Sequence, residues 1–441
     1  VMNVGIRGDR IAALTPQRLR LSDDAEAAEQ AEPGTRRIDA RNLVVAPGFI
    51  DVTVPQFPRL HNYRFVEYWK LTDGITTTLW MHDGHGHLTT VLDWLSGTVH
   101  LTNWGVGLRP VSYSRELTLD ERLVLLRENL DAGGLSVSMS PEYFQFLSVE
   151  EMTAYARVAA EYGVPVAMHL RYAWADNEHQ GVQEAIRIAE DSGAHVHIFH
   201  IHSTGGTYDM RTALQMVGDA RNRGMSMSAD VYPYSYWMTF LNSSRFMGDW
   251  RTGFRLDYDD LFYVRTGEYL DRELYLEYRA DTALVVVPED TISWQESILP
   301  ALREPWVFFA SDGLFDVSPE RVEPFASHPR NTGAGATAIS LHRTTDLSLM
   351  SVIRKYTLDP ARLMQASDRR FARMGRLQVG AFADITVFDP ETIEGQGTIT
   401  DTGRESAGIA AVIVDGVLSY DGDRIRTDGV GEFLGADRPA R

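Results

Sequence analysis

The sequence predicts an α/β fold, a (β/α)8 barrel of the TIM type. Three observations predict it. Short apolar, β-branched runs alternate with amphipathic helical stretches from about residue 74 to 231, and a further apolar run follows near 306. The strand candidates are largely apolar, as strands covered on both faces of a parallel sheet are. The chain has 441 residues, room for a barrel of roughly 250 residues with a small satellite beside it.

Taken in order, Val4 to Ile6, Ile11 to Leu14 and Leu43 to Val45 read as short strands between polar turns. Ala46 to Asp51 (APGFID) is an apolar segment broken by Pro-Gly. Gly74 to Met81 (GITTTLWM) reads as a strand, and Leu119 to Asn129 as a helix with Asp120 near its cap. Leu135 to Met139, Pro165 to Leu170, Val196 to Ile201 and Met225 to Val231 read as strands. The helices Val149 to Tyr162, Val182 to Ser192 and Asp209 to Arg223 separate them. Residues 235–300 break the rhythm with aromatic, Arg and Asp residues. They read as an insertion over the barrel mouth, or as long loops and outer helices. Trp306 to Ala310 resumes the pattern. Ala383 to Phe388 and Ala411 to Leu418 return to short strands, with no internal repeat or low-complexity tract.

Lys plus Arg number 42 and Asp plus Glu 61, a net charge of −19. Such a surface repels phosphate backbones and excludes nucleic acid as a partner. No apolar run reaches the ~18 residues of a membrane span, so no membrane partner is expected. With no cysteine in the chain, disulfides and thiolate metal ligands are excluded, which fits a cytoplasmic location. The expected partner is a small-molecule substrate; homo-oligomerisation stays open. The sequence opens at Val1 rather than Met, so a preceding strand or targeting segment also stays open.

Val44 to Asp51 (VVAPGFID), Gly375 to Asp389 (GRLQVGAFADITVFD) and Gly408 to Gly416 (GIAAVIVDG) resemble the barrel entry, barrel exit and closing strand of the amidohydrolase superfamily. Gly134 to Tyr143, Met168 to Arg171, Phe199 to His202, Asp230 to Tyr234, Ser311 to Gly313 and His328 to Arg330 resemble its N-acyl-D-amino-acid deacylase (D-aminoacylase-like) branch, in the same order. The resemblance implies a small β-sandwich domain formed by both chain ends, residues 1–47 and 376–441, beside a barrel of residues 48–375.

The departures from that family are equally specific. Where it places His-x-His on strand one, to hold the buried metal, this chain has Val52-Thr53-Val54-Pro55. Thr and Val cannot replace those ligands. The branch also uses a cysteine after its second strand; here Asp83 holds that position and His82 precedes it. The strand-six ligand is expected near Asp230 to Tyr232, where there is no histidine.

Barrel active sites lie at the C-terminal ends of strands. Asp312 follows the last apolar run and resembles the family's strand-eight aspartate, a general base and proton shuttle; burial is expected to raise its pKa. The plainer role is a helix or turn cap. His200 ends the fifth strand of this reading and matches a family metal ligand, with a catalytic part. Strand parity sets His200 and His202 on the inner face with Val196 and Ile198, and turns His195 and His197 outward, unless a bulge intervenes. His202 stands where the branch more often has lysine. His169 and Arg171 end the fourth strand and face the substrate in the family. Arg171 suits a carboxylate, or else a structural ion pair. Tyr234, with Tyr232, follows the sixth strand as an oxyanion donor or as packing. His82 and Asp83 can reach the centre; His85 and His87 lie on a Gly-rich loop. The Ser203 to Gly206 turn is a weak oxyanion candidate.

Two enzymatic readings follow, and one without catalysis. The first is an amidohydrolase-like hydrolase of C–N bonds in a small N-acyl amino-acid-like carboxylate. One zinc ion is held by His200 with His82 or Asp83, and Asp312 serves as base and acid. Its substrate groups are His169, Arg171, His202 and Tyr234. The second is a metal-free acid–base enzyme, a cyclase, lyase or isomerase, on the same barrel. The third is a binding protein that kept the fold.

Overall fold

The computed structural model describes residues 2–16, 36–54, 63–280, 283–316 and 325–438. At its centre lies an eight-stranded parallel sheet in sequential order, curled into a nearly closed barrel. Its strands are β1 (Phe49–Asp51), β2 (Ile75–His85), β3 (Asn103–Leu108), β4 (Val137–Met139), β5 (Val166–Met168), β6 (Val196–Ile198), β7 (Met227–Val231) and β8 (Val307–Phe309). The seam between β8 and β1 is bridged by side chains and one backbone bond. The Asp312 N–H donates to the Thr53 carbonyl at 2.8 Å. Ser311 donates twice to the Asp51 carboxylate, and the buried Lys70 ammonium sits 2.9 Å from that carboxylate and 2.6 Å from the Ser311 hydroxyl.

Four helices form where the sequence pattern places them, while others, such as Tyr63–Thr72 and Arg330–Thr344, were not expected. Val149–Tyr162 starts at Ser148, whose hydroxyl accepts from the Glu151 N–H, and stops at Gly163, whose φ of 69° only glycine adopts without strain. Leu119–Asp131 is capped by Thr118 and Glu121 in a reciprocal capping box, with Asp120 in its first turn. Glu178–Ser192 and Met210–Asn222 complete the run.

Strand β3 was not expected from the sequence. Its residues, NWGVGL, carry two glycines, which strands disfavour. The structure shows why they are there. A Cβ on Gly107 would lie 2.5 Å from the Ser136 hydroxyl and 2.7 Å from that of Ser138. The glycines give their volume to the neighbouring strand. Because β3 exists, every later strand moves up by one. His169 therefore follows the fifth barrel strand rather than the fourth, and His200 the sixth rather than the fifth.

Strand parity is also the reverse of the sequence reading. The barrel interior is filled by Ile50, Val52, Leu79, Met81, Ala167, Phe199, Phe308 and Ala310. Val196 and Ile198 pack instead into the layer between barrel and helices. His197, paired in register with Ala167 on β5, thus faces inward, fully buried and stacked on Phe308 at 4.9 Å. Strand β6 ends at Ile198, and His200 turns with φ +30° into the short helix Ile201–Thr204. The period-two rule stops where the strand stops, so His200 reaches the mouth by a turn.

Val44–Pro47, Ile385–Phe388, Ile409–Val414 and Val417–Tyr420 form a four-stranded antiparallel sheet that joins both ends of the chain. The hairpin Met2–Arg7 with Arg10–Pro16 bridges to Phe382. Within residues 235–300, Met238–Phe240, Leu284–Val286, Phe262–Tyr263 and Glu268–Tyr269 form another antiparallel sheet. Among the described residues no helix is long and apolar enough to cross a membrane.

Candidate active site

Three histidines from three strands converge at the C-terminal end of the barrel. His82 lies near the end of β2, His169 directly after β5 and His200 two residues after β6. Each offers a ring nitrogen, and the three nitrogens lie within 4.8 Å of one another. All three residues are buried. His169 Nδ1 is 3.1 Å from His200 Nε2, and the ring of His82 stacks on that of His169 at 5.3 Å.

The outer nitrogens have fixed partners. His169 Nε2 donates to Glu142 at 2.5 Å, which leaves Nδ1 facing the cluster. His200 Nδ1 is 3.1 Å from the Ser203 hydroxyl, which leaves Nε2 facing it. His82 Nδ1 donates to Asp312 Oδ1 at 2.9 Å, and its Nε2 is buried with no hydrogen-bond partner among the described residues. A buried ring nitrogen without a partner is costly unless a ligand uses it. Burial, reinforced by neighbouring cations, holds His169 well below its ordinary pKa, and burial does the same for His200. Both therefore present neutral lone pairs, the form a metal needs. On His82, burial is outweighed by the Asp312 carboxylate, which raises its pKa.

Asp312 joins the cluster from β8. Its Oδ2 is 2.8 Å from Arg330 Nη2 and 3.9 Å from His200 Nε2. Burial would lift its pKa, but Arg330, His200 and His82 together outweigh burial and hold the carboxyl well below the usual range. The sequence expectation of a raised value is reversed, because the residues that surround it are cationic or donate hydrogen bonds. Its backbone is held at φ +49°, and that of His200 at φ +30°. Non-glycine residues in this region cost about 1–3 kcal/mol each, and such strain gathers at functional sites.

Beside Asp312 lies a set of buried donors. Among the described residues, Arg330 Nε and Nη1, both ring nitrogens of His202 and the Tyr232 hydroxyl make no hydrogen bond of ordinary geometry. The Arg330 guanidinium stacks 4.4 Å over the Tyr232 ring, and His202 meets the same ring edge-on at 4.1 Å. Burial keeps His202 neutral and pushes the Tyr232 hydroxyl up to about 12.

Other predicted residues lie outside this set. Asp83, at φ +63°, accepts from the Ser140 hydroxyl at 2.6 Å and is not among the convergent nitrogens; His82 takes the place instead. Arg171 is held by Glu184 at 3.0 Å and by the carbonyls of Gln145 and Leu147, so its guanidinium is spent on structure. The Tyr234 hydroxyl is taken up by the Pro329 carbonyl and Thr337, and Tyr232 is the tyrosine with a hydroxyl to spare.

Three residues were missed. Arg330 had a signal in the His328-Pro-Arg330 segment. Glu142 lay in another matching segment, but nothing tied it to His169. Arg245 had no signal. It comes from the irregular region after β7 and reaches back, with Nε 3.0 Å from Glu142 and Nη2 2.7 Å from the Ser203 carbonyl. Burial raises the Glu142 pKa, and Arg245 opposes that rise.

Residues 267–420 match the amidohydrolase family model. The chain is 26% identical over 472 residues to an N-acyl-D-glutamate deacylase of Alcaligenes xylosoxydans xylosoxydans, covering 95% of this chain and 89% of that one. It is 27% identical over 470 residues to a D-aminoacylase of the same organism, covering 94% and 89%. The crystal structure of the N-acyl-D-glutamate deacylase of Bordetella bronchiseptica, complexed with zinc and a phosphonate inhibitor, superposes with a TM-score of 0.81 at 23% identity, covering 98% of this chain and 95% of that one.

Proposed function

We propose that this chain, similar in sequence to an N-acyl-D-glutamate deacylase and a D-aminoacylase, is a metal-assisted hydrolase of the amide bond in a small N-acyl amino acid. The observation that carries this reading is the convergence of three histidine nitrogens beside Asp312, with His82 Nε2 buried and unpartnered among the described residues. Three imidazoles with one open side are a donor set suited to catalytic zinc. A metal ion held by His82, His169 and His200 would supply Lewis acidity toward an amide carbonyl and toward water.

The protein groups divide the remaining work. Asp312 accepts a proton from the attacking water and returns it to the leaving nitrogen, so that the C–N bond breaks to a carboxylate and an amine. Arg330 keeps Nη2 on Asp312 and offers Nε and Nη1 to a substrate carboxylate. Tyr232 and His202 lie against it with unused donors, suited to the same anion or to a developing oxyanion. Arg330 thus takes the part the sequence reading gave to Arg171.

The test is turnover. Metal-replete protein is incubated with N-acetyl and longer-chain N-acyl amino acids, D series first as in the named relatives, and release of free amine is measured. The expected result is hydrolysis of at least one acidic or small N-acyl amino acid, lost on chelation and restored by zinc. Full activity that survives exhaustive chelation moves the assignment to metal-free acid–base chemistry. No turnover across the panel removes amide hydrolysis.

A further inference from the structure

The barrel interior contains a polar chain that the proposed reaction does not use. Asp230, on β7, is buried below the histidine cluster. Its Oδ1 accepts the backbone N–H of His200 at 2.6 Å. Its Oδ2 accepts from His197 Nε2 at 3.0 Å and from the Thr53 hydroxyl. His197 Nδ1 is in turn 2.8 Å from the Ser228 hydroxyl, which lies 2.7 Å from His195 Nε2. His195 Nδ1 ends the chain on Ser226 at 2.7 Å.

Packing alone does not account for this arrangement. An aromatic ring stacked flat on Phe308 would fill the place of His197 equally well without nitrogen atoms. Both nitrogens of His197 are used, and one fixes the orientation of the Asp230 carboxylate. That carboxylate then holds the one N–H that defines the left-handed turn at His200. The direction of the His200 ring follows from that turn.

We propose that Asp230 and His197 are a positioning pair: they clamp the backbone of His200 and so aim its Nε2 at the metal position. The inference rests on the metal-site reading above. Neither residue is catalytic; both act through His200. Partners of metal-ligating side chains change affinity or activity by about 10–100-fold when removed.

The experiment compares wild type with Asp230→Ala, Asp230→Asn and His197→Phe. Asn keeps an acceptor for the His200 N–H, and Phe keeps the volume and the stack. Three quantities are read. They are cobalt(II) affinity against a chromophoric chelator, the visible spectrum of the cobalt protein, and hydrogen exchange of the segment 196–206. Asp230→Ala should weaken cobalt binding about 10–100-fold, alter the ligand-field bands and speed exchange at His200. Asp230→Asn should stay within a few-fold of wild type. His197→Phe should shift in the direction of the Ala variant, with circular dichroism unchanged; if Asp230→Ala fails to fold, this variant decides. Cobalt binding, spectrum and exchange all unchanged in Asp230→Ala or His197→Phe would overturn the proposal while leaving the metal reading intact. Wild type that binds no cobalt overturns the metal reading, and exchange at His200 then decides whether the clamp exists.

Discussion

At the scale of single residues, Asp312 and Arg330 make the sharpest predictions. Asp312→Asn keeps the shape and the bond to His82 but cannot accept a proton. Its kcat should fall by about 10²–10⁴-fold with metal content unchanged. Arg330→Gln removes a charge-assisted contact to the substrate carboxylate. KM should rise by roughly 10–100-fold, the equivalent of ~1.5–3 kcal/mol. It also removes the cation that most depresses Asp312. Loss of a neighbouring positive charge disfavours the carboxylate, so the pKa of Asp312 rises, and the acidic limb of the kcat/KM profile should move to higher pH. A limb that stays in place means that another group titrates there. The convergence of His200, Asp312 and His82 was legible because each follows an apolar run. The ligand role proposed for His169 was not, since a histidine after a strand looks the same whether it would bind metal or substrate. Only the geometry shows Nδ1 turned to His200 and Nε2 to Glu142.

At the scale of elements, the strand–helix alternation from Val149 to Val231 was legible because caps and apolar periodicity agree there. Strand β3 was not, because Gly105 is present for the sake of Leu135 and Gly107 for the sake of Ser136 and Ser138, neighbours in space that a local reading cannot see. One missed strand shifted the numbering of the site, and the search for a strand-six ligand therefore fell on β7. The left-handed turn at His200 was equally hidden, since a positive φ outside glycine is set by tertiary contacts such as that with Asp230. The region 235–300 reaches the candidate site. It supplies Arg245 to the buried Glu142. Arg245→Met should destabilise the fold by about 3–5 kcal/mol, because it strands a buried carboxylate. Adding Glu142→Gln should recover much of that loss, and a double-mutant cycle by chemical denaturation measures the coupling.

For the whole molecule, the small antiparallel sheet joins the N-terminal strand Val44–Pro47 to the C-terminal strands and carries an acidic pair, the buried Asp384 and the half-buried Asp415. Burial raises the pKa of Asp384, helped by the adjacent Asp415, and Oδ2 of each is buried without a partner among the described residues. A carboxyl raised in the folded state lends stability that is complete below the unfolded value of about 4 and is lost as pH climbs through the raised value. Asp384→Asn keeps an N–H in place of the proton. Its melting temperature should fall less than that of wild type between pH 5 and pH 8, as calorimetry would show; an equal fall contradicts a raised pKa for Asp384. At this scale the sequence was most informative: barrel, flanking sheet and family resemblance were all legible from segments whose residues agree locally. The metal question was not, because it turns on three nitrogens brought together from residues 82, 169 and 200. Elemental analysis of metal-replete protein, wild type beside His82→Ala, tests that point most directly. The account predicts about one divalent ion per wild-type chain, with most of it lost in the variant; under ~0.1 per wild-type chain would contradict it.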